Sequence, residues 1–371
     1  MAVVRDAVHG NITLSEIEER VVDCADFQRL RRVRQLALAH LVYPGAMHTR
    51  FEHSLGTMHL ASGICGVLGI YGDEKERIRM AVLLHDLGHV AFSHEAEGVL
   101  SPFLGTHEEV GRAKASSGEL GDIVGECFSA RDLLSGKGIQ EEIISCDVGA
   151  DRMDYLKRDA HHTGVAYGVI DTGRLIHTMV RSGGRICVER GGLEAAESLL
   201  IGRFLMFSTV YLHKAVRIAS GMLGKAIGKA VEGGLEPSAF LSSGDEEMLL
   251  RMALIEGSAP YATALLERRF YKQALAVSDR HPLLSDVRAA ENELSGKCGC
   301  DVVISMPPDS AEAPEFGVVG TGGELDIKEA SELVSSLLAA EERRRNAIIM
   351  CPAPLRGKVE KAALDYFGRQ G

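Results

Sequence analysis

Apolar residues recur every three to four positions over most of the chain, from about residue 14 to residue 295. The segments 55–68 and 78–84 show this spacing most clearly. A period of 3.6 residues is typical of amphipathic helices that bury one face. The second segment leads into His85-Asp86-Leu87-Gly88, where the glycine favours a helix end. The pattern therefore predicts that His85 and Asp86 lie in the last turn of a helix.

Short β-branched runs, which favour strands, are expected only near the end of the chain. Long helical patterns cover residues 140–160 and 194–227. The sequence thus predicts a mainly α fold with a small C-terminal α+β lobe. The expected strands of the lobe are 301–306, 316–319 and 347–351, and its expected helices are 327–345 and 355–367. The predicted parts of the chain are a core over 1–220, a helical extension over 221–295 and the lobe over 296–371.

The composition indicates a globular protein of the cytoplasm. Hydrophobic residues make up 46% of the chain, charged residues 25%, and the net charge is −11. An acidic chain disfavours non-specific binding of nucleic acid through an overall basic surface, although a local basic pocket remains compatible with it. No apolar run approaches the roughly 18 residues of a membrane span, and a signal-peptide pattern is not expected. The eight cysteines form no CxxC pair, which favours buried thiols in a reducing compartment over disulfides or zinc.

Histidines are concentrated in one part of the chain, because seven of the 14 lie between residues 48 and 107. A single histidine in a helix is usually a surface or satisfied core residue. Several imidazoles and carboxylates on neighbouring helices indicate a shared site instead, and this donor set suits Mg, Mn, Fe or Zn. The sequence therefore predicts a divalent metal site of the catalytic type. The residues concerned are His53, His85, Asp86, His89, His94 and His107.

A series of short motifs runs in order along residues 4–220, and the likeness is loose beyond them. The sequence resembles the HD-domain deoxynucleotide triphosphohydrolases, the family typified by the human enzyme that joins a SAM domain to an HD domain. A counterpart of the SAM domain is not expected. The motifs that carry the resemblance are His9-Gly10, Asp26-Phe-Gln-Arg-Leu-Arg31, Gln35-Leu36, Tyr43-Pro-Gly45, His48-Thr-Arg50-Phe-Glu-His53-Ser-Leu-Gly56, His85-Asp-Leu-Gly-His89, Phe92-Ser-His94, His107-Glu108, Asp151-Arg-Met-Asp-Tyr155 and Arg158-Asp-Ala-His-His-Thr-Gly164.

The resemblance implies an HD-domain helical core over residues 1–220. It also implies a metal-dependent enzyme that hydrolyses a deoxynucleoside triphosphate (dNTP) to the deoxynucleoside and inorganic triphosphate. Two neutral imidazoles and two carboxylates would neutralise a divalent ion and leave it short of ligands. Asp147, one turn before Asp151, stays open as a rival fourth ligand. The metal ligands that the resemblance implies are His53, His85, Asp86 and Asp151.

The resemblance also implies catalytic and substrate-binding residues. A carboxylate that is hydrogen-bonded to an imidazole raises the pKa of that ring and equips it to protonate a leaving oxygen. The implied acid–base group is His94, Glu97 and His107, with His89 close to the metal. The implied phosphate contacts are Arg50 and Arg152, and the implied sugar contacts are Gln35, Tyr155, Asp159 and Tyr211. Leu212 replaces a glutamine that helps to hold the base in the human enzyme, so no base preference is predicted.

A second nucleotide site is implied near the N-terminus. Asp23, Gln28 and Arg31 match positions at which the human enzyme binds a guanine nucleotide between subunits. A carboxylate that accepts from guanine N1 and N2, with an arginine that donates to O6 or N7, suits guanine. The ordinary alternative is a solvated charged face of an early helix. The resemblance thus leads us to expect a homo-oligomer, a dimer or a tetramer, that responds to a guanine nucleotide activator.

Two other functions stay open on the sequence. The first is a broader HD phosphohydrolase that acts on GTP, nucleoside monophosphates, cyclic dinucleotides or other phosphate esters, because the fold and the metal motif do not fix the substrate. The second is a nucleotide sensor or a single-stranded nucleic-acid binder without turnover. A complete acid–base set argues against the second, because a sensor does not need one.

Overall fold

The structure is a computed structural model that describes residues 2–307, 314–342 and 345–368. Helices dominate these residues, which confirms the predicted mainly α fold. The chain divides by its own contacts into two compact units. The first unit falls within 1–206, 237–246 and 313–338, and the second within 207–236, 247–312 and 339–371.

The helices are numbered in chain order and are mostly short. Turns of 3₁₀ helix occur at Arg29–Arg32, Ala39–Leu41, Arg190–Gly192, Pro282–Leu284 and Ala353–Leu355, and a π turn occurs at Phe207–Tyr211. The helices are α1 (Glu16–Asp23), α2 (Ala25–Gln28), α3 (Arg50–Val67), α4 (Gly72–Leu84), α5 (His94–Leu104), α6 (His107–Ala115), α7 (Gly118–Gly125), α8 (Ala130–Leu133), α9 (Ile139–Ser145), α10 (Ala150–Thr163), α11 (Thr172–His177), α12 (Leu193–Met206), α13 (Lys214–Glu232), α14 (Ala239–Ser242), α15 (Asp245–Met252), α16 (Ala259–Leu266), α17 (Val287–Cys298), α18 (Ile327–Ala330), α19 (Glu332–Glu342) and α20 (Arg356–Phe367).

Within the described ranges, the strands form three small sheets. Their bounds are β1 (Ala2–Asp6), β2 (Gly10–Leu14), β3 (Met179–Ser182), β4 (Arg185–Glu189), β5 (Lys272–Ser278), β6 (Val303–Ser305), β7 (Gly317–Gly320), β8 (Gly323–Asp326) and β9 (Asn346–Cys351). β1 and β2 form an antiparallel hairpin. The second sheet has the order β3-β4-β7-β8, with β4 and β7 parallel, and the third has the order β5-β9-β6.

Several sequence-based boundaries differ from the structure. The predicted helix over 140–160 is two helices, α9 and α10, and the one over 194–227 is α12 and α13 with the π turn before α13. The first break lies at Gly149, where a Cβ atom would come within 2.5 Å of the carbonyl oxygen of Ile144. The expectation that strands wait until the end of the chain is wrong, because β1 to β5 precede it. These strands interleave apolar with polar residues, so a search for β-branched runs misses them.

The predicted C-terminal lobe is shared between the two units. β7 pairs in parallel with β4 of the first unit, with Val188 opposite Val318. The expected turn at residues 320–323 closes the hairpin between β7 and β8. β6 and β9 instead join β5 in the second unit. The lobe boundary at residue 296 therefore differs from the division that the contacts make.

In the first unit, α4 and α10 pack against the central helix α3. A Cβ atom at Gly56 would lie 2.0 Å from Oδ1 of Asp154 and 2.3 Å from Nη2 of Arg158. Only glycine lets α3 approach α10 so closely. This approach places His53, one turn before Gly56, against the acidic face of α10.

A second close approach shapes the turn after α4. A Cβ atom at Gly88 would lie 1.9 Å from the carbonyl oxygen of His107 and 2.4 Å from the backbone nitrogen of Gly111. The turn therefore packs directly on the backbone at the start of α6. His85 and Asp86 lie just past the last helical residue, Leu84, and not within the last turn of α4.

The second unit has its own small core between one sheet and two helices. α17 and α20 cover the sheet β5-β9-β6, and α13 packs on α16. Fully buried residues of this core include Ala290, Leu294, Ala347, Ile349, Val359 and Ala363. Among the described residues of both units, no single helix is long and apolar enough to span a membrane, and one consecutive pair meets that test only when both helices are counted together.

Candidate active site

Three parts of the first unit bring the predicted metal ligands together. His53 lies on α3, His85 and Asp86 follow α4, and Asp151 lies in the first turn of α10. One ligand atom from each of His53, His85 and Asp86 lies within 4.8 Å of the other two. Oδ1 of Asp151 lies 3.0 Å from Nε2 of His53 and 3.9 Å from Nε2 of His85. The four side chains therefore form one cluster, which we call the metal cluster.

The Nδ1 atoms of His53 and His85 already have hydrogen-bond partners outside the metal cluster. Nδ1 of His53 lies 2.7 Å from Oδ2 of Asp154, and Nδ1 of His85 lies 2.6 Å from the carbonyl oxygen of Val82. Because an ionised carboxylate and a carbonyl only accept, both rings carry a proton on Nδ1 and direct Nε2 into the cluster. Nε2 of His85 is buried there without a hydrogen-bond partner. Two imidazole nitrogens beside two carboxylates fit a divalent cation of the borderline or hard type.

The charges of the metal cluster favour a cation. Burial by itself would lower the pKa of His53, but hydrogen bonds with Asp151 and Asp154 raise it to about 10. Burial opposes the ionisation of Asp86, yet Arg50 and the neighbouring imidazoles hold the pKa of this carboxyl well below its usual value. His53 and His85 likewise lower the pKa of Asp151 against the effect of burial. The carboxylates are thus ionised at neutral pH, and His53 would release the proton on its Nε2 in order to hold a cation there.

Asp147, the rival fourth ligand, is engaged elsewhere. It forms an ion pair with Arg152 and lies 3.8 Å from Nη1 of Arg203. Its Oδ2 accepts a hydrogen bond from the backbone N–H of Glu315 at 2.8 Å. The geometry therefore favours Asp151 as the fourth ligand. It also shows that Arg152, an expected phosphate contact, is paired with a carboxylate.

Glu97 is the centre of the predicted acid–base group. Nδ1 of His107 lies 3.0 Å from Oε1 of Glu97, and Nδ1 of His94 lies 3.2 Å from Oε2. The backbone N–H of His107 also donates to Oε1 of Glu97 at 2.9 Å. Hydrogen bonds from His94 and His107 hold the pKa of Glu97 far below its usual value. Glu97 is therefore an ionised carboxylate that orients two imidazoles, and we call these three residues the acid–base cluster.

His89 connects the two clusters. Its Nε2 lies 3.3 Å from Oδ1 of Asp86, and its ring stacks on that of His107 with 4.1 Å between centroids. Burial and the charge of Arg50 hold the pKa of His89 well below its usual value. His89 is therefore a neutral ring between the metal cluster and the acid–base cluster. Ligand atoms of His89, His94, Glu97 and His107 also lie within 4.8 Å of one another.

Arg50, the first predicted phosphate contact, lies at the same junction. Its Nη1 donates to Oδ2 of Asp86 at 2.6 Å, and its Nε donates to Oγ of Ser93 at 3.0 Å. The residue is only 4% exposed. Arg50 therefore supplies a fixed positive charge beside the metal cluster.

The predicted sugar contacts differ in their burial and in the groups that they contact. Oε1 of Gln35 is buried and has no hydrogen-bond partner among the residues that the structure describes. Asp159 is buried and contacts Nε2 of His48 at 2.7 Å. Burial raises the pKa of Tyr155, one turn from Asp159, to about 12. Tyr211 ends the π turn of the second unit, where its ring meets Phe207 edge to face.

The residues of the predicted guanine nucleotide site lie around α1 and α2. Asp23 is exposed at the end of α1. Nε of Arg31 donates to Oε1 of Gln28 at 2.8 Å, and the Arg31 guanidinium lies 3.5 Å from the ring centroid of Phe51. Nε2 of Gln28 donates to the carbonyl oxygen of Val22. Gln28 and Arg31 thus already bond to each other within this structure.

Sequence reasoning missed the residues that support His53. Asp154 contacts Nε2 of His9 at 2.6 Å and accepts from Nε of Arg158 at 2.9 Å, besides its contact with His53. Arg158 is fully buried and also donates to Asp6 at 2.8 Å. The spacing of Asp154, three residues after Asp151, places both on one face of α10 and is the signal that was available. Asp6 gave no such signal, and His9 appeared in the His9-Gly10 motif without an assigned role. Both residues belong to the N-terminal hairpin, far from α10 in the sequence.

Comparisons with known proteins agree with this arrangement. The model of the HD domain matches residues 50–159, and the model of the HD associated region matches residues 170–370. The first match contains all four residues of the metal cluster and all three of the acid–base cluster. The second begins after α10 and extends over more than half of the chain.

Three relatives show how far the likeness extends. An uncharacterised protein of Methanocaldococcus jannaschii is 36% identical over 372 residues, which are 95% of this chain and 79% of that protein. The human deoxynucleoside triphosphate triphosphohydrolase SAMHD1 is 30% identical over 280 residues, which are 62% of this chain but only 45% of the human protein. The crystal structure of a hypothetical protein of Aquifex aeolicus has a TM-score of 0.81 at 31% identity and covers 98% of this chain and 99% of that one.

Proposed function

Because the chain belongs to the HD-domain family of metal-dependent phosphohydrolases, we propose that it hydrolyses a deoxynucleoside triphosphate to the deoxynucleoside and inorganic triphosphate. One observation carries this proposal, the contact between the metal cluster and the acid–base cluster through His89. Attack of water on the α-phosphorus is assisted by a Lewis acid beside the phosphate and by a proton for the leaving 5′ oxygen. The two clusters supply these requirements side by side.

The metal cluster has the donors to hold a divalent cation, which when bound supplies Lewis acidity toward a phosphate group and a water molecule. Mg, Mn, Fe and Zn all suit its ligands. Asp154 and the Val82 carbonyl hold the two imidazoles in the tautomer that binds a cation, as described above. The identity of the ion follows from metal analysis of the purified protein.

The acid–base cluster provides the proton. Glu97 accepts from Nδ1 of both His94 and His107, so each ring directs its Nε2 away from Glu97. Nε2 of His107 lies 3.3 Å from Oε1 of Glu108. An ionised carboxylate at Nδ1 makes the opposite nitrogen a better base, which equips it to bind and then release a proton. The His94 side chain is 64% exposed, so it can reach a bound substrate. We assign proton donation to the 5′ oxygen to His94 or His107, with Glu97 as their common partner.

Substrate binding would use the charges and acceptors around the two clusters. A triphosphate carries about four negative charges, which Arg50 and Arg152 must meet locally in an acidic protein. Arg152 is paired with Asp147, so phosphate would compete with that carboxylate. Oε1 of Gln35 is a buried acceptor without a partner and suits a sugar hydroxyl. We retain Asp159, Tyr155 and Tyr211 as further sugar contacts in the proposal.

Regulation is a further part of the proposal. Asp23, Gln28 and Arg31 would bind a guanine nucleotide that stabilises a dimer or a tetramer and raises the rate. The exposure of Asp23 leaves its carboxylate available for guanine, whereas Arg31 would exchange its bond to Gln28 for the base. Sedimentation and rate measurements with and without GTP, on the wild type and Asp23→Ala, test this. If GTP changes neither the assembly nor the rate of the wild type, this regulation is refuted and the enzyme is constitutively active.

A second candidate function is a phosphohydrolase for esters with fewer negative charges. The pairing of both expected phosphate arginines with carboxylates favours it, because Arg50 contacts Asp86 and Arg152 contacts Asp147. A nucleoside monophosphate or a cyclic dinucleotide would need fewer free cations. The product distinguishes the two candidates, since an ester phosphatase releases orthophosphate from a monophosphate.

A substrate screen tests the proposed function. The purified protein is incubated with each dNTP and NTP, a nucleoside monophosphate and a cyclic dinucleotide, in turn with Mg²⁺, Mn²⁺, Fe²⁺ and Zn²⁺, and the products are separated by ion-exchange chromatography. We expect deoxynucleoside and triphosphate in equal amounts from at least one dNTP. Orthophosphate released stepwise, or activity on the monophosphate alone, would support the second candidate. No turnover of any compound would refute both.

A further inference from the structure

A buried carboxylate at the start of α15 bonds to two backbone segments of the active site. Asp245 is 1% exposed, and its Oδ1 accepts a hydrogen bond from the backbone N–H of Phe92 at 2.7 Å. Its Oδ2 accepts from the backbone N–H of Arg34 at 2.9 Å. Burial raises the pKa of Asp245 to about 6, so the carboxylate is ionised at neutral pH and both oxygens accept. One side chain thus fixes two segments that are distant from it in the sequence.

The backbone of Phe92, which Asp245 holds, and that of Ser93 have positive φ angles. Phe92 and Ser93 have φ angles of 66° and 51°, in the left-handed region that favours glycine. A residue other than glycine is strained in such a conformation, which persists only when its surroundings hold it. The backbone N–H of Ala91 donates to the carbonyl oxygen of Phe240 at 3.1 Å, so residues 237–246 hold the turn at two points.

Two groups of the proposed active site depend on this turn. His94 follows Ser93 directly and begins α5. Oγ of Ser93 accepts from Nε of Arg50 at 3.0 Å. If Phe92 and Ser93 relaxed to negative φ angles, the start of α5 and the partner of Arg50 would both move. Gln35, the expected sugar contact, follows Arg34, which is the other residue that Asp245 binds.

We propose that Asp245 is a positioning residue, which holds the strained turn of Phe92 and Ser93 and thereby fixes His94 and Arg50 in the active site. This inference rests on the proposed function. Asp245 acts through backbone amides, so its loss disturbs the geometry of catalysis and leaves the donors of the metal cluster in place. A displacement of about 1 Å in a catalytic group costs roughly 10²-fold in rate.

The test is the variant Asp245→Asn, in which a carboxamide replaces the carboxylate. Its NH₂ group, which only donates, takes the place of one of the two accepting oxygens. We expect kcat to fall about 10²-fold, with metal content within twofold of the wild type. Hydrogen exchange at the amides of residues 90–95 should become at least tenfold faster. The matched control is Glu18→Gln, which removes another buried carboxylate that caps α1 and pairs with Arg79. The control should keep kcat within twofold of the wild type and leave exchange at residues 90–95 unchanged.

Three results would overturn the inference. The first is an unchanged kcat in Asp245→Asn, and the second is unchanged exchange at residues 90–95. The third is a loss of rate that also occurs in Glu18→Gln, or that is matched by an equal loss of bound metal in Asp245→Asn. If Asp245→Asn does not fold, Asp245→Ser keeps one acceptor in a smaller side chain and is measured in the same way. If the wild type turns over no nucleotide, the proposed function fails, whereas the exchange and metal measurements still decide the role of Asp245.

Discussion

The metal cluster and the acid–base cluster are connected through His89 but are built differently. In the metal cluster, the side chains of His53, Asp86 and His85 are 1%, 6% and 15% exposed, and that of Asp151 is 32% exposed. In the acid–base cluster, the side chains of His94 and His107 are 64% and 21% exposed. In the metal cluster, His53 and Asp151 lie on the packed helices α3 and α10, and His85 and Asp86 lie in the turn after α4. In the acid–base cluster, His94 and His107 are the first residues of α5 and α6, and α5 follows the strained turn of Phe92 and Ser93. Under the proposed function, cation binding depends on buried hydrogen bonds, whereas proton transfer depends on a held backbone and on access to substrate. Changes in the two clusters should therefore fail in different ways.

The largest effect is expected from removal of two ligands of the metal cluster. The double variant His85→Ala and Asp86→Ala should lose bound metal and at least ~10³ in turnover, because the phosphate loses its Lewis acid. The fold should survive, since the helical core is untouched. Metal analysis, circular dichroism and rate measurement check this, with His177→Ala on α11 as a histidine control. Full activity in a metal-free double variant would refute the assignment of the cluster.

A smaller effect is expected in the acid–base cluster. His107→Ala or Glu97→Gln should lower kcat about 10²-fold with little change in KM, because the proton is needed mainly in the transition state. Metal content should stay at the wild-type level, which separates these variants from those of the metal cluster. Steady-state kinetics beside metal analysis make the comparison, and Glu95→Gln on the same helix is the control. A raised KM with unaltered kcat would contradict the role.

The support of His53 offers a sharper test of the buried cluster. Asp154→Asn should weaken metal binding by about 10–100-fold, because the ring of His53 loses the carboxylate that fixes its tautomer. Titration with Mn²⁺ or Zn²⁺, followed by calorimetry, measures the affinity. Lys157→Gln, on the same helix, should bind metal as the wild type does. Equal affinities in Asp154→Asn and the wild type would show that His53 needs no such partner.

The smallest effect concerns stability in acid. Hydrogen bonds and charge from Arg158 lower the pKa of Asp6 against the effect of burial. A carboxyl whose pKa is lower in the folded state stabilises the fold above its unfolded pKa, near 4, and this stabilisation is lost as the pH falls further. Asp6→Asn should therefore cost about 2 kcal/mol of unfolding free energy at pH 7, and the difference from the wild type should shrink below pH 4. Denaturant unfolding at several pH values measures it, and a difference that grows in acid would contradict the sign.

The sequence could indicate the four residues of the metal cluster because they belong to short motifs that lie on neighbouring helices or directly after one. The helical core and the late strands β6, β7 and β9 followed from apolar periodicity and β-branched runs. The supporting residues did not follow, because their contacts join distant parts of the chain. His9 meets Asp154 only after the N-terminal hairpin packs on α10, and Asp245 meets Arg34 across 211 positions. Neither contact leaves a spacing that a sequence pattern can reveal.

The division of the chain into two compact units could also not be predicted from the sequence pattern. No Pro-rich or Gly-rich linker marks the places where the chain passes from one unit to the other. Residues 237–246 and 313–338 return to the first unit by pairing and hydrogen bonding, as the parallel contact of β7 with β4 illustrates. Such returns depend on which strand edge is available in the folded unit. The periodicity of a segment does not contain that information.

The central claim is that water attacks the α-phosphorus while the acid–base cluster protonates the 5′ oxygen. Hydrolysis in H₂¹⁸O of the dNTP that is turned over fastest, followed by mass spectrometry of the products, tests it most directly. We predict one ¹⁸O atom in inorganic triphosphate and none in the deoxynucleoside. Label in orthophosphate or pyrophosphate, or in the 5′ hydroxyl of the deoxynucleoside, would contradict the account.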